Sequence, residues 1–230
     1  MFTGFTDETV DFMWGIRFNN ARGWFLEHKD DYINTFLTPT RELGEQVYDA
    51  VHALLPDEPL MLKVSRIYRD ARRLFGRGPY KDHLWWCIRT GDKDWTGRPT
   101  FWFELGPDYY SFGLGFWSPA AALMETYRKQ IDAHPEELSK LVRQFNRQSV
   151  FTLDGPEYAR SKGQTSDLLR PWYQKKSLSL RWEGPLDERI FTSALAEDII
   201  AGFKTLIPFY HYFNKLVALT PRQERRGEEA

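Results

Sequence analysis

The sequence contains a single cysteine, Cys87, among 230 residues. One cysteine excludes an internal disulfide framework and a zinc site built from several cysteines. Cys87 lies within the apolar run HLWWCIRT at residues 83–90. We therefore expect a buried, unreactive thiol rather than a nucleophile.

Long hydrophobic runs are also missing. No stretch approaches the ~20 apolar residues that a membrane-spanning helix needs. The first residues, MFTGFTDETVDF, are acidic rather than basic and lack the apolar region of a signal peptide. These absences predict a cytoplasmic protein with no membrane partner.

The chain also lacks an excess of positive charge. Lys and Arg number 31, Asp and Glu number 32, and the formal net charge is −1. Proteins that bind nucleic acids regardless of sequence normally carry a broad basic excess. Any binding of a nucleic acid would therefore have to come from a local basic patch.

Familiar catalytic and cofactor motifs are lacking. GRGPYK at 76–81 does not match a phosphate-binding loop, and Pro79 has no amide donor for one. GLG at 113–115 lacks the third glycine of a dinucleotide-binding turn. The five histidines are scattered, and no G-x-S-x-G elbow occurs. The sequence therefore predicts no cofactor, no metal site and no nucleophile.

Aromatic residues are abundant, at 16% of the chain, and several occur in strand-like runs. Such runs span 60–70, 83–90, 100–106 and 108–117, and GPD at 106–108 predicts a hairpin between the last two. Shorter strands are expected at VFTL (150–153) and KSLSLRWEG (176–184).

Helical periodicity occurs before, between and after these runs. The predicted helices cover residues from about 7 to 16, 21 to 36, 38 to 55, 119 to 131, 135 to 145 and 185 to 219, with Pro208 expected to break or kink the last. Together these patterns predict an α+β fold, with a central, mostly antiparallel sheet packed by N-terminal, middle and C-terminal helices. We expect one domain over 1–219 and a disordered tail over 220–230.

Positive charge is concentrated in RIYRDARRLFGRGPYKDH, residues 66–83. On a strand, Arg66, Tyr68 and Asp70 would share one face, and the following arginines would belong to a glycine-containing loop. Guanidinium groups match phosphate and carboxylate geometry, so the cluster could receive an anion. The alternative is that these arginines form solvated ion pairs with nearby carboxylates.

A second stretch of interest is NNARGWFLEHKDDY, residues 19–32. Asn20 is expected to cap the second helix, and Trp24 and Phe25 are expected in the core. Lys29 and Tyr32 could project beside them towards a groove. These polar residues are secondary candidates for a site.

The two stretches together resemble the bacterial family catalogued as domain of unknown function 2461, a set of conserved hypothetical proteins. The similarity continues through GLGFWSP (113–119) and DLLRPWYQKKSL (167–178) and covers nearly the whole chain. The family pattern maps onto Asn19, Asn20, Trp24, Phe25, Lys29, Tyr32, Arg66, Tyr68, Arg69, Asp70, Pro79, Tyr80, Lys81 and His83. The resemblance implies a single cytoplasmic domain and no established activity.

The first functional hypothesis is an anion-binding pocket for a phosphorylated or carboxylated small molecule, or for a nucleic-acid end. Arg66, Arg69, Arg73, Arg77 and Lys81 would hold the anion. Tyr80 and His83 would orient it, and Asp70 would fix an arginine. If a reaction follows, hydrolysis or transfer at a phosphate ester is expected, with Asp70 or His83 as acid or base.

The second hypothesis is a non-catalytic interaction module that binds a protein partner, with a structural Arg/Asp network. The two hypotheses differ in what they predict for the arginines. A pocket requires cations that converge and have few carboxylate partners. An interaction module requires paired arginines and an exposed apolar patch elsewhere.

Overall fold

The computed structural model of the protein describes residues 1–70, 72, 74 and 76–221. These residues form an α+β fold with one six-stranded antiparallel sheet, in the strand order β1-β2-β3-β4-β6-β5. The strands are β1 (Leu60–Val64), β2 (Leu84–Thr90), β3 (Pro99–Leu105), β4 (Tyr110–Phe116), β5 (Thr152–Asp154) and β6 (Ser179–Gly184). The predicted fold class and the hairpin at 106–108 are confirmed.

The helices flank the strands in the chain as predicted. They are α1 (Asp7–Phe18), α2 (Arg22–Glu27), α3 (Lys29–Asp31), α4 (Thr38–Leu54), α5 (Ala121–Ala133), α6 (Pro135–Phe145), α7 (Arg170–Tyr173) and α8 (Ala194–Leu219). A π-helical segment, Tyr32–Leu37, joins α3 to α4. Short 3-10 turns lie at Trp95–Gly97 and Glu188–Phe191.

One face of the sheet is covered by α4 and α8. The Phe203 ring of α8 lies 4.8 Å from the Phe101 ring and 6.4 Å from the Trp86 ring. A β-carbon on Gly44 of α4 would lie 3.2 Å from the side chains of Leu62 and Trp86. Because side chains alternate along a strand, the residues between these contacts point to the opposite face, which we call the open face.

The helix predicted over 38–55 is α4, but no break separates it from the helical segments before it. Thr38 has helical backbone angles, so the helical path runs from α3 into α4 without the expected break. Pro39 has no N–H for the carbonyl of Thr35, and that carbonyl accepts a 2.6 Å hydrogen bond from the Thr9 hydroxyl instead. At the other proline, Pro208, the last helix is not broken, because α8 contains this residue and continues to Leu219.

The strand predicted over 60–70 ends at Val64, and the chain after it pairs locally. The Lys81 N–H donates to the Ile67 carbonyl at 2.7 Å, and the Arg69 N–H donates to the Pro79 carbonyl at 2.8 Å. Tyr68 and Tyr80 form the bridge between the two short segments. This pairing closes the loop that contains most of the predicted cationic cluster.

Within the described ranges, no helix is both long enough and apolar enough to cross a membrane. The predicted tail at 220–230 lies, from residue 222 onward, outside the described residues.

Candidate functional site

A basic cavity of about 570 Å³ lies beside β1, next to the locally paired segments. Five cationic side chains line it together with one carboxylate. The lining residues are Lys63, Val64, Ser65, Arg66, Tyr68, Arg69, Asp70, Arg72, Lys81 and Trp85. The side chains around this cavity therefore carry a clear excess of positive charge.

Besides Arg72, two of these cations, Lys63 and Arg66, are exposed at the cavity. Among the carboxylates that the structure describes, none forms an ion pair with either of them. Arg72 differs, because its guanidinium binds Asp70 through Nε at 3.0 Å and Nη2 at 2.9 Å. Asp70 thus holds an arginine, as the first hypothesis requires of it, and lowers the net charge only at that end of the cavity.

Arg69 lies deeper and is held by the backbone. Its Nε donates to the Tyr80 carbonyl at 2.8 Å, while its Nη2 is 3.8 Å from an oxygen of Asp82. Burial lowers the pKa of Arg69, and the Asp82 carboxylate opposes that effect. The guanidinium is positioned by its Nε contact and still lines the cavity.

Lys81 is the most perturbed cation of the cavity. Burial and the neighbouring charges of Arg69 and Arg66 together lower its pKa to about 8, while Glu104 opposes them. Its ammonium group lies 5.6 Å from the centre of the Trp85 ring. A bound anion would relieve this crowding of positive charge.

Asp82, which follows Lys81 in the chain, binds groups from two parts of the fold. Its carboxylate accepts a hydrogen bond from Arg17 Nε at 2.7 Å, and its other oxygen lies 3.0 Å from Nδ1 of His83. The hydrogen bond with His83, followed by that with Arg17, holds the pKa of Asp82 well below its usual range. Asp82 therefore joins α1 to the segment that carries Lys81.

Asn20 fixes the same segment from the other side. Its amide Nδ2 donates to the Tyr80 carbonyl at 2.9 Å, and its Oδ1 accepts from the Tyr80 N–H at 3.0 Å. A β-carbon on Gly78 would lie 2.2 Å from that Oδ1, so a glycine is required there. Asn20 does not cap α2, whose N-cap is Ala21.

The sequence profile of the conserved hypothetical protein family DUF2461 matches residues 8–212. The chain belongs to the DUF2461 family. A comparison with curated proteins gives no match. The family match spans the sheet, α4, most of α8 and the whole basic cavity.

The residues that fit the DUF2461 pattern separate into two groups in space. Arg66, Arg69, Asp70 and Lys81 line the basic cavity. Tyr80 is buried and its ring stacks on Phe25, with the ring centres 4.3 Å apart.

The other predicted site residues that the structure describes do not line the cavity. Tyr32 is buried, and that burial raises its pKa to about 12. Lys29 is exposed at the start of α3, and His83 contacts Asp82. Arg77 is exposed, with its Nε 3.5 Å from the Leu74 carbonyl, and Arg73 falls outside the described residues.

Sequence reasoning about this DUF2461 member missed Lys63, Ser65 and Trp85 in the cavity wall. Strand alternation was the signal that could have placed Lys63. In the β1–β2 register Lys63 is opposite Cys87, so the two side chains lie on the same face of the sheet. Cys87 itself is buried, and burial raises its pKa to about 11. The prediction that this thiol is buried is confirmed.

Proposed function

We propose that the basic cavity binds the phosphate group of a small molecule. Lys63, Arg66 and Lys81 supply charge that no described carboxylate neutralises by ion pairing, and Arg69 adds a guanidinium already positioned by the Tyr80 carbonyl. Arginine forks and lysine ammonium groups are the side chains that proteins use to hold phosphate oxygens. The observation that carries the proposal is the convergence of these cations on one cavity.

The lowered pKa of Lys81 supports the same proposal. A charged lysine that is partly buried and also repelled by Arg69 and Arg66 is unfavourable in the ligand-free protein. A phosphate dianion in the cavity would offset that repulsion, so part of the binding free energy would come from relieving it. A merely structural network would be expected to pair each cation with a carboxylate, as Arg72 pairs with Asp70.

That Arg72–Asp70 pair favours the alternative of a protein-interaction module at one edge of the cavity. Tyr68 is 57% exposed beside it and offers an apolar surface. Ligand selectivity distinguishes the two functions. A phosphate-binding cavity prefers phosphate compounds to a neutral small molecule, whereas a protein-interaction surface has no reason to do so.

The test is isothermal titration of the purified protein with inorganic phosphate, a sugar phosphate, a dicarboxylate and a neutral sugar at low, fixed ionic strength. We expect the phosphate compounds to bind. Arg66→Gln and Lys63→Gln should each weaken phosphate binding roughly tenfold, because a hydrogen bond to a charged group contributes about 1.5 kcal/mol or more.

Arg143→Gln and Lys140→Gln are the matched controls, since both side chains are exposed on α6. They should leave phosphate affinity unchanged. Equal losses in the cavity variants and the controls would mean that only the overall charge matters. No binding of any phosphate compound would rule out the proposed function.

A further inference from the structure

A second cavity of about 400 Å³ lies on the open face of the sheet. Four tryptophans line it, Trp85, Trp95, Trp102 and Trp117, together with Glu104 and Ser111. We call it the tryptophan groove. Indole rings offer flat apolar faces on which planar ligands stack.

The strands beneath the groove explain why it is open. Gly113 and Gly115 lie on the open face of β4, and a β-carbon on Gly113 would be 2.1 Å from the Leu180 carbonyl oxygen. The close approach of β4 and β6 therefore requires glycine. Without side chains at these two positions, the floor is open enough for the Arg181 guanidinium of β6 to reach within 5.9 Å of the centre of the Trp102 ring of β3.

Ser111 provides an independent sign of a ligand. The residue is 1% exposed and lines the groove, yet its hydroxyl has no hydrogen-bond partner among the described residues. Buried polar groups normally have partners, because an unmade hydrogen bond costs free energy. A polar atom of a ligand in the groove would supply the partner that the protein does not.

The tryptophan groove and the basic cavity adjoin each other. Trp85 lines both, and the Lys81 ammonium group lies 5.6 Å from its ring centre. In the strand register Lys63 is opposite Cys87, which is opposite Trp102. Two strand spacings separate Lys63 from Trp102, a distance of about 10 Å. A single small molecule can therefore reach from one cavity into the other.

We infer that the ligand is a nucleotide, whose phosphate occupies the basic cavity and whose base stacks in the tryptophan groove. This inference rests on the proposed function and names its ligand class. The cations bind the phosphate, the indole rings hold the planar base, and the Ser111 hydroxyl bonds to a polar atom of the base. Glu104, directly opposite both Trp85 and Ser111 in the sheet, provides an acceptor for an amino group of the base.

The experiment compares the affinities of inorganic phosphate, ribose 5-phosphate, the four ribonucleoside 5′-monophosphates and the four nucleosides by isothermal titration. We expect at least one nucleotide to bind ten- to a hundredfold more tightly than ribose 5-phosphate, which is the gain that stacking of one base provides. The matching nucleoside should bind far more weakly than its nucleotide.

Two variants test the groove. Ser111→Ala should weaken nucleotide binding about fivefold, as expected for one hydrogen bond, without lowering thermal stability. Trp117→Ala should weaken it by a similar or larger factor, and it should not impair folding because the Trp117 side chain is 74% exposed. Neither variant should change the affinity for inorganic phosphate. The controls are Ser139→Ala, a buried serine of α6, and Phe18→Ala, an exposed aromatic of α1.

The possible failures can be told apart. If nucleotides bind no more tightly than ribose 5-phosphate, the inference is overturned while the proposed function stands. If a nucleoside binds as tightly as its nucleotide, the two cavities do not share one ligand and the inference is again overturned. If no phosphate compound binds, the proposed function fails and this inference fails with it.

Discussion

Lys81 illustrates how a binding residue can reduce the stability of its own protein. Its ammonium group is half-buried and is repelled by Arg69 and Arg66, while Glu104 attracts it. The pKa of about 8 is below the ordinary lysine value of 10.5. A lysine with a lowered folded-state pKa opposes folding fully below pH 8, and the effect disappears as the pH rises from 8 to 10.5.

Replacing Lys81 with Met should therefore stabilise the ligand-free protein. We expect the free energy of unfolding to rise by about 1–2 kcal/mol at pH 7, and the gain to shrink towards pH 10, measured by urea unfolding at both pH values. Lys63→Met, at an exposed position of the same cavity, should change stability little. A loss of stability in Lys81→Met at pH 7 would contradict this account.

Asp82, unlike Lys81, stabilises the folded protein, because His83 and Arg17 stabilise its charged form. Asp82→Asn should lower the free energy of unfolding by about 2 kcal/mol at pH 7, as for loss of hydrogen bonds to charged groups. The depressed carboxyl pKa contributes stability that is complete above about pH 4 and is lost as the pH falls further. The difference between variant and parent should therefore narrow in acid unfolding below pH 4.

Asp108 offers a matched control because it binds the same Arg17. Its side chain is 53% exposed, against 17% for Asp82. Asp108→Asn should cost no more than about 0.5 kcal/mol, since an exposed ion pair contributes little. An equal loss of unfolding free energy in the two variants would show that the burial of Asp82 does not explain its contribution to stability.

At the residue level, the sequence could predict the cations that lie close together in the chain. Arg66, Arg69 and Lys81 are brought to one cavity by local pairing of two short segments, which strand-like sequence and a glycine loop indicate. Asp82 could not be predicted as the organising carboxylate, because its partner Arg17 lies 65 residues away. Contacts of that kind depend on how α1 packs, which no local pattern specifies.

At the level of elements, β4 is the strand most constrained by its neighbours. Gly113→Ala should destabilise the protein by several kcal/mol, because the new β-carbon would meet the Leu180 carbonyl oxygen. Gly97→Ala, where a β-carbon has open space, should be nearly neutral. Thermal unfolding of the two variants measures the difference. A neutral Gly113→Ala would mean that β4 and β6 can separate at no cost.

Strands were easier to predict than helix ends in this chain. The aromatic runs of β2, β3 and β4 alternate clearly, and GPD supplies a turn signal between the last two. The sequence does not indicate that the helical path from α3 to α4 is continuous, because Thr38–Pro39 is typical of the start of a separate helix. The hydroxyl of Thr9 satisfies the carbonyl that Pro39 leaves without a donor, and that contact comes from a different helix.

For the whole molecule, ligand binding should be coupled to protonation. Above pH 8 a phosphate monoester is already fully ionised, whereas Lys81 is partly deprotonated. Binding should therefore take up close to one proton near pH 9, measured by calorimetry in buffers with different ionisation enthalpies. Lys81→Arg should bind at pH 9 with no proton uptake, since arginine stays charged. Uptake that persists in Lys81→Arg would assign the proton to another group.

The bridge from Asn20 to the backbone of Tyr80 has a consequence for hydrogen exchange. Tyr80 follows an exposed loop, yet its amide hydrogen is held by a side chain from the junction of α1 and α2. That amide should exchange slowly with solvent deuterium only while the junction is docked, so its protection reports the free energy of undocking. The stability of this part of the basic cavity is then limited by the free energy with which the α1–α2 junction binds the Tyr80 backbone.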